Sequence, residues 1–160
     1  MSVVSQVLFV CTGNTCRSPV AAAVLQQWLQ EAGYSDWSVG SAGTKAEEGQ
    51  IAAVNSISIL AERGIDLTKH RSRAFSLDFV MPSTLVLCME QSHVEWIQHH
   101  YPQQFDKVYL LSEMSHDSFG VADPFGGSVA DYIQMVDEVT LLIEAGLQRI
   151  IKVLEEDNGR

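Results

Sequence analysis

The sequence predicts an α/β fold in which a parallel sheet carries helices on both faces. Apolar runs alternate with helix-patterned stretches along the chain, as they do when strands are joined by crossover helices. The first apolar run, Val7-Leu8-Phe9-Val10, leads into the loop Cys11-Thr12-Gly13-Asn14-Thr15-Cys16-Arg17 and then into a helix pattern. That order puts the loop beyond the carboxyl end of a strand, where open sheets bind their ligands. At 160 residues and 46% hydrophobic, the chain can bury one core, and a single domain over residues 1–160 is expected.

The elements follow in order. Residues 3–10 read as a strand and residues 19–32 as a helix closed by Gly33. Ser38-Val39 is a short strand leading into Ser41-Ala42-Gly43-Thr44. A helix over residues 50–63 is stopped by Gly64. Residues 84–89 are apolar and β-branched enough for a buried strand, residues 91–100 are helical before Pro102, and residues 107–110 form a further strand. In the last helix Ile133, Val136, Ile143, Leu147, Ile150 and Leu154 make one apolar stripe, started by a capping-box pattern at Ser128-Val129-Ala130-Asp131. Residues 155–160 are expected to fray.

Composition narrows the function. Twenty acidic residues against ten basic ones give a formal charge of -10, which argues against a nucleic-acid binder. Any site for an anion must therefore concentrate positive potential locally. No run of eighteen apolar residues is present, so no membrane span is expected, and the first residues lack the pattern of a signal peptide. Three cysteines, Cys11, Cys16 and Cys88, cannot all pair, which fits free thiols in the cytoplasm. His93, His116 and the His99-His100 pair lack metal-ligand spacing and read as surface residues. Neither a metal nor a cofactor is expected.

The Cys11 loop carries the chemistry. A thiolate is the nucleophilic form of cysteine, and a helix start together with Arg17 favours it. The same groups can hold a tetrahedral oxyanion while the sulfur attacks its central atom, which is phosphatase chemistry. Gly13 is expected to relieve crowding where the backbone amides turn inward as an anion-binding nest, and Asn14 tolerates left-handed geometry. Ser18 has two readings: a hydroxyl donor to the Cys11 sulfur, or the N-cap of a helix with Pro19 at its first position. The nucleotide-binding loop GxxxxGK[ST] is absent, so ATP binding is not indicated. A leaving group needs a proton, and Asp123, in Asp123-Pro124-Phe125-Gly126-Gly127-Ser128, is the candidate general acid.

The Cys11 loop, Ser41-Ala42-Gly43 and Asp123-Pro124-Phe125-Gly126-Gly127 together resemble the low-molecular-weight protein tyrosine phosphatase family, in motif order and over nearly the whole length. The resemblance implies a four-stranded parallel sheet with flanking helices and a two-step, metal-free reaction. Cys11 forms a cysteinyl-phosphate, Arg17 and the amides of Thr12 through Ser18 hold the phosphoryl oxygens, and Asp123 protonates the leaving group and then activates water. It also implies that Ser41 and His70 support Asn14, that Cys16 can form a reversible disulfide with Cys11, and that Phe125 borders the substrate. Cys88 reads as a core residue. Phosphorylated proteins are the implied substrates and inorganic phosphate the product.

Two positions bear on specificity. Many tyrosine-directed members resembling this chain have an aliphatic residue at Thr15 and a tyrosine at Phe125. A bacterial branch acting on phosphoarginine shares the threonine and the Asp-Pro-Phe-Gly-Gly-Ser segment. Phosphotyrosine is the leading expectation and phosphoarginine the alternative, with Glu47 and Glu48 as candidate guanidinium partners or simply a solvated pair. Arsenate reductase is the second alternative, but it needs a cysteine relay that the isolated Cys88 does not offer.

Overall fold

In a computed structural model of the chain, which describes residues 5–102 and 107–158, the first strand, β1 (Gln6–Cys11), lies at the middle of the sheet. It pairs in parallel with β2 (Ser38–Gly43) on one side and β3 (Thr84–Cys88) on the other, and β4 (Val108–Leu110) completes the order β2-β1-β3-β4. The helices are α1 (Arg17–Glu31), α2 (Val54–Glu62), α3 (Gln91–His100) and α4 (Val129–Asn158). Single 3₁₀ turns cover Leu77–Phe79 and Leu111–Ser115.

β1 is buried along its whole length because helices cover both sheet faces, which is why it reads as an unbroken apolar run. Val7, Phe9 and Cys11 pack with Val24, Leu25, Val136 and Val139 of α1 and α4. Leu8 and Val10 point the other way, onto Val94 and Ile97 of α3. Alternation in the pleat thus delivers Cys11 to the α1 side at the strand end.

The expected four-stranded parallel sheet with helices on both faces is observed, with several boundaries moved. β1 begins at Gln6; residues 3 and 4 lie outside the described residues. β2 runs to Gly43 because all six of its residues register with β1, from Gln6↔Ser38 to Cys11↔Gly43. α1 starts two residues early, at Arg17, so Ser18 is not the N-cap; Pro19 still falls in the first turn, where its missing N–H has no intrahelical partner. α2 starts at Val54, because residues 50–53 bond elsewhere: Gln50 exchanges bonds with Ser72, and Ala53 N–H donates to the Thr15 carbonyl. Gly33 and Gly64 end α1 and α2 with φ of 90° and 80°.

α4 begins as its sequence suggests. Ser128 N–H donates to Asp131 Oδ2 at 2.9 Å, and Asp131 N–H donates to Ser128 Oγ at 3.2 Å. Val136, Ile143, Ile150 and Leu154 are fully buried, whereas Ile133 is 41% exposed. Tyr132, one residue earlier, takes the inward position in that turn and carries Ile133 off the stripe. Among the described residues, no helix is long and apolar enough to cross a membrane.

Candidate active site

The loop between β1 and α1 is shaped by what its carbonyls bond. Thr44 N–H donates to the Cys11 carbonyl, Lys45 N–H to that of Thr12 and Ala53 N–H to that of Thr15, at 2.8–2.9 Å. His70 Nε2 lies 2.7 Å from the Asn14 carbonyl and must donate to it. In a trans peptide the N–H opposes the C=O, so carbonyls held outward leave the N–H groups of Thr12, Gly13, Thr15 and Cys16 directed inward. They form a nest of the kind that binds anions. Gly43 lets the loop lie this close to β2, since a Cβ there would collide with the Thr12 carbonyl. Gly13 is not placed by internal crowding, because its Cβ would come no nearer than 3.8 Å, to Thr15 Oγ1.

Asn14 is the keystone of this loop. Its φ of 57° lies in the left-handed region, which asparagine tolerates better than most residues. The Arg73 amide donates to Oδ1 at 2.9 Å, which fixes the orientation of the side-chain amide. Nδ2 then donates to Ser18 Oγ at 2.8 Å and to Ser41 Oγ at 2.9 Å. Ser18 Oγ, having accepted from Asn14, lies 2.9 Å from Cys11 Sγ with its own hydrogen free to donate to the sulfur. The Asn14 amide approaches the same sulfur at 3.2 Å. Of the two readings of Ser18, the one observed is the contact with the Cys11 sulfur rather than the N-cap. Ser41 and His70 both bond Asn14, and burial holds the imidazole of His70 below its ordinary range.

Arg17 is 1% exposed and is clamped at one end. Nη1 donates to the Val121 carbonyl at 2.8 Å and pairs with Glu90 Oε2 at 2.9 Å. Nη2 lies 3.4 Å from Thr12 Oγ1 and 3.6 Å from Asp123 Oδ2, while Nε has no hydrogen-bond partner among the described residues. The guanidinium thus keeps one nitrogen without a protein partner, and Arg17 lines the same cleft as the loop residues. Asp123 turns back on its own segment, accepting from Phe125 N–H at 3.0 Å. One cleft is lined by Cys11, Thr12, Gly13, Thr15, Cys16, Arg17, Asp123 and Phe125. A phosphorylated side chain entering it meets the sulfur and amides at the base and the carboxylate and the exposed Phe125 ring at the mouth.

Other expectations fare differently. Cys16 is buried 3.5 Å from the Tyr132 hydroxyl, and burial pushes its thiol above the ordinary range. Cys88 is fully buried among the residues of the other sheet face, which also raises its thiol and leaves it outside the cleft. Glu47 and Glu48 do not line the cleft, and Glu48 accepts from the Ala74 amide. His99, His100 and His116 are exposed, but His93 is not. It is 2% exposed, with Nδ1 accepting from Glu90 N–H and Nε2 2.8 Å from Thr12 Oγ1. Its side-chain hydrogen bonds go to the Glu90 backbone and to Thr12, 81 residues away, so the i,i+3 spacing from Glu90 was its one local signal. Glu90 was also missed, although its place just beyond the carboxyl end of β3 was a usable signal.

A parallel sheet whose central strand delivers a cysteine into an arginine-closed nest of amides defines a thiol-dependent phosphatase. A family model described as low molecular weight phosphotyrosine protein phosphatase matches residues 6–159, and the chain belongs to that family. It is 40% identical over 140 residues to a protein-arginine-phosphatase of Geobacillus stearothermophilus, covering 87% of this chain and 91% of the relative. It superposes with a TM-score of 0.85 on a low molecular weight protein tyrosine phosphatase from T. tengcongensis, at 34% identity over 91% of this chain and 99% of that one. A mutant YwlE arginine phosphatase with a phosphorylated active-site serine matches with a TM-score of 0.86 and 33% identity, over 92% of this chain and 96% of that one.

Proposed function

We propose that the protein hydrolyses phosphotyrosine in proteins through a cysteinyl-phosphate. The observation that carries this reading is the convergence of Cys11, the inward amides, Arg17 with its unpartnered Nε and the Asp123 carboxyl on one cleft. In the first step the Cys11 thiolate forms an S–P bond as the bond from phosphorus to the phenolic oxygen breaks. The electron pair leaves with that oxygen, which takes the Asp123 proton. In the second step the Asp123 carboxylate takes a proton from water, the new P–O bond forms, and the S–P bond breaks to release inorganic phosphate and the thiolate. Arg17 and the amides stabilise the equatorial oxygens throughout. The phosphorylated active-site serine of the YwlE mutant supports a covalent step in this kind of site.

The second reading is phosphoarginine, with a P–N bond broken in the first step. Thr15 in the cleft wall favours it, and so does the likeness to two proteins named as arginine phosphatases. The exposed ring of Phe125 suits a phenyl group or a planar guanidinium alike. Arsenate reduction has no support, since Cys88 lies in the other core cluster and does not line the cleft. Three free cysteines support a cytoplasmic setting. The test is turnover per active site on one peptide carrying phosphotyrosine or phosphoarginine at the same position, with Cys11→Ser as blank. Dominant tyrosine activity supports the first reading, dominant arginine activity the second, and turnover by the Cys11→Ser variant would overturn both.

A further inference from the structure

Thr12 follows the nucleophile, and the hydrogen-bond roles of its hydroxyl can be assigned from its neighbours. The Glu90 backbone N–H lies 3.1 Å from His93 Nδ1. An amide N–H only donates, so Nδ1 is the acceptor and the ring hydrogen resides on Nε2. Nε2 is 2.8 Å from Thr12 Oγ1 and donates to it; the Glu90 carboxylate, 3.8 Å from the same nitrogen, is beyond hydrogen-bond range. Arg17 Nη2, which can only donate, approaches the same hydroxyl oxygen at 3.4 Å. Both acceptor positions of the hydroxyl are therefore occupied, and its single hydrogen must be given elsewhere. Thr12 lines the cleft with Cys11, Gly13 and Arg17.

We propose that the Thr12 hydroxyl donates a hydrogen bond to the oxyanion held in this cleft, and that His93 is the positioning residue that fixes the hydroxyl in that sense. The loop then has a side-chain donor besides its amides and Arg17. His93 itself is buried, at 2% exposure, so its ring is held in place between the Glu90 amide and the Thr12 hydroxyl. Burial together with the nearby Arg17 charge also pushes the imidazole down to about 4, so the ring is neutral across the ordinary working range.

The inference rests on the phosphatase reading, but its test is equilibrium binding of inorganic phosphate to the full chain, measured by calorimetry. Thr12→Val is expected to weaken phosphate about tenfold, the scale of one hydrogen bond to a charged group, while Thr12→Ser keeps most of the affinity. His93→Phe should weaken phosphate in the wild-type background and add nothing to Thr12→Val. His93→Gln, with a donor nitrogen at the same reach, should restore binding. Such non-additivity would not arise if His93 were merely a packing residue. Unchanged affinity in Thr12→Val, or equal affinity in His93→Phe and His93→Gln, would overturn the inference and leave the phosphatase reading intact. Failure of the wild-type chain to bind phosphate would overturn both.

Discussion

Glu90 Oε2 lies 2.9 Å from Arg17 Nη1, joining the second residue beyond β3 to the arginine that opens α1. With the Val121 carbonyl on the same nitrogen, this pair holds one end of the guanidinium and leaves Nε without a hydrogen-bond partner among the described residues. Glu90→Ala would leave a 1% exposed cation with one fewer partner. Because the carboxylate is itself 40% exposed, the expected cost is about 1–2 kcal/mol, below the ~3–5 kcal/mol of breaking a fully buried pair. kcat/KM should fall about tenfold as the guanidinium loses its orientation. Thermal melting and steady-state kinetics on the same preparation check both effects. Wild-type kinetics in Glu90→Ala would show that the Val121 carbonyl alone positions Arg17.

Asp123 lies 3.6 Å from Arg17 Nη2 and borders the cleft mouth. Removing a general acid costs roughly a hundred- to ten-thousand-fold in rate. Asp123→Ala should therefore slow phosphotyrosine peptides by that factor and slow aryl phosphates with acidic leaving groups far less. A series of phenyl phosphates of graded leaving-group acidity makes the measurement. An equal loss across the series would remove Asp123 from the role of proton donor.

Asn14 combines a left-handed backbone with three side-chain bonds, to Ser18, Ser41 and the Arg73 amide. Two substitutions separate these contributions. Asn14→Gly loses the bonds but adopts φ of 57° freely, while Asn14→Ala loses the same bonds and adds a left-handed penalty of about 1 kcal/mol. Both should bind phosphate weakly, and Asn14→Ala should be the less stable in urea unfolding. Equal stability of the two would mean that the backbone conformation costs nothing here.

The fold was legible in this sequence because β1 and β3 are buried along their whole length and read as plain apolar runs, with α3 bounded correctly by its periodicity and by Pro102. Boundaries failed where tertiary bonds override local pattern: residues 50–53 look helical but are held by Ser72 and Thr15. The loop residues from Cys11 to Ser18 were legible because the oxyanion-binding device is continuous in sequence. Glu90 and His93 are brought to it only by the pairing of β1 with β3. A histidine whose partners lie 81 residues away and in the backbone leaves only its i,i+3 spacing from Glu90 as a local trace.

The two histidines at the loop predict acid sensitivity. His93 is pushed down to about 4, mainly by burial and the Arg17 charge, and His70 is also lowered, chiefly by burial. In the unfolded chain each titrates near 6.5. Between pH 6.5 and about 4 the unfolded state thus binds more protons, so this contribution is fully present above pH 6.5 and is lost as pH falls. The slope due to His93 alone approaches ~1.4 kcal/mol per pH unit within that window. Urea unfolding of wild type and His93→Gln at pH 7.5, 6.0 and 5.0 isolates it from the carboxylates common to both. The variant should lose less stability on acidification; parallel curves would show that His93 is protonated in the fold.

Thr15 lines the cleft with its hydroxyl 3.7 Å from Cys16 Sγ, so the polar face of this wall is turned partly toward the loop sulfur. Thr15→Ile replaces the hydroxyl with an ethyl group, one heavy atom larger, in the cleft wall. A bulkier apolar wall narrows the room for a branched guanidinium and adds contact for a flat phenyl ring. One methylene in such a wall is worth about 1–3 kcal/mol of discrimination. The ratio of kcat/KM for a phosphotyrosine peptide over its phosphoarginine counterpart should therefore rise about tenfold or more. Most of the change should come from loss of arginine turnover, since the phosphoryl group meets the same amides and Arg17 in both substrates. If the ratio stays fixed while both activities survive, selectivity resides at the cleft mouth, where Phe125 is 78% exposed and free to meet either side chain.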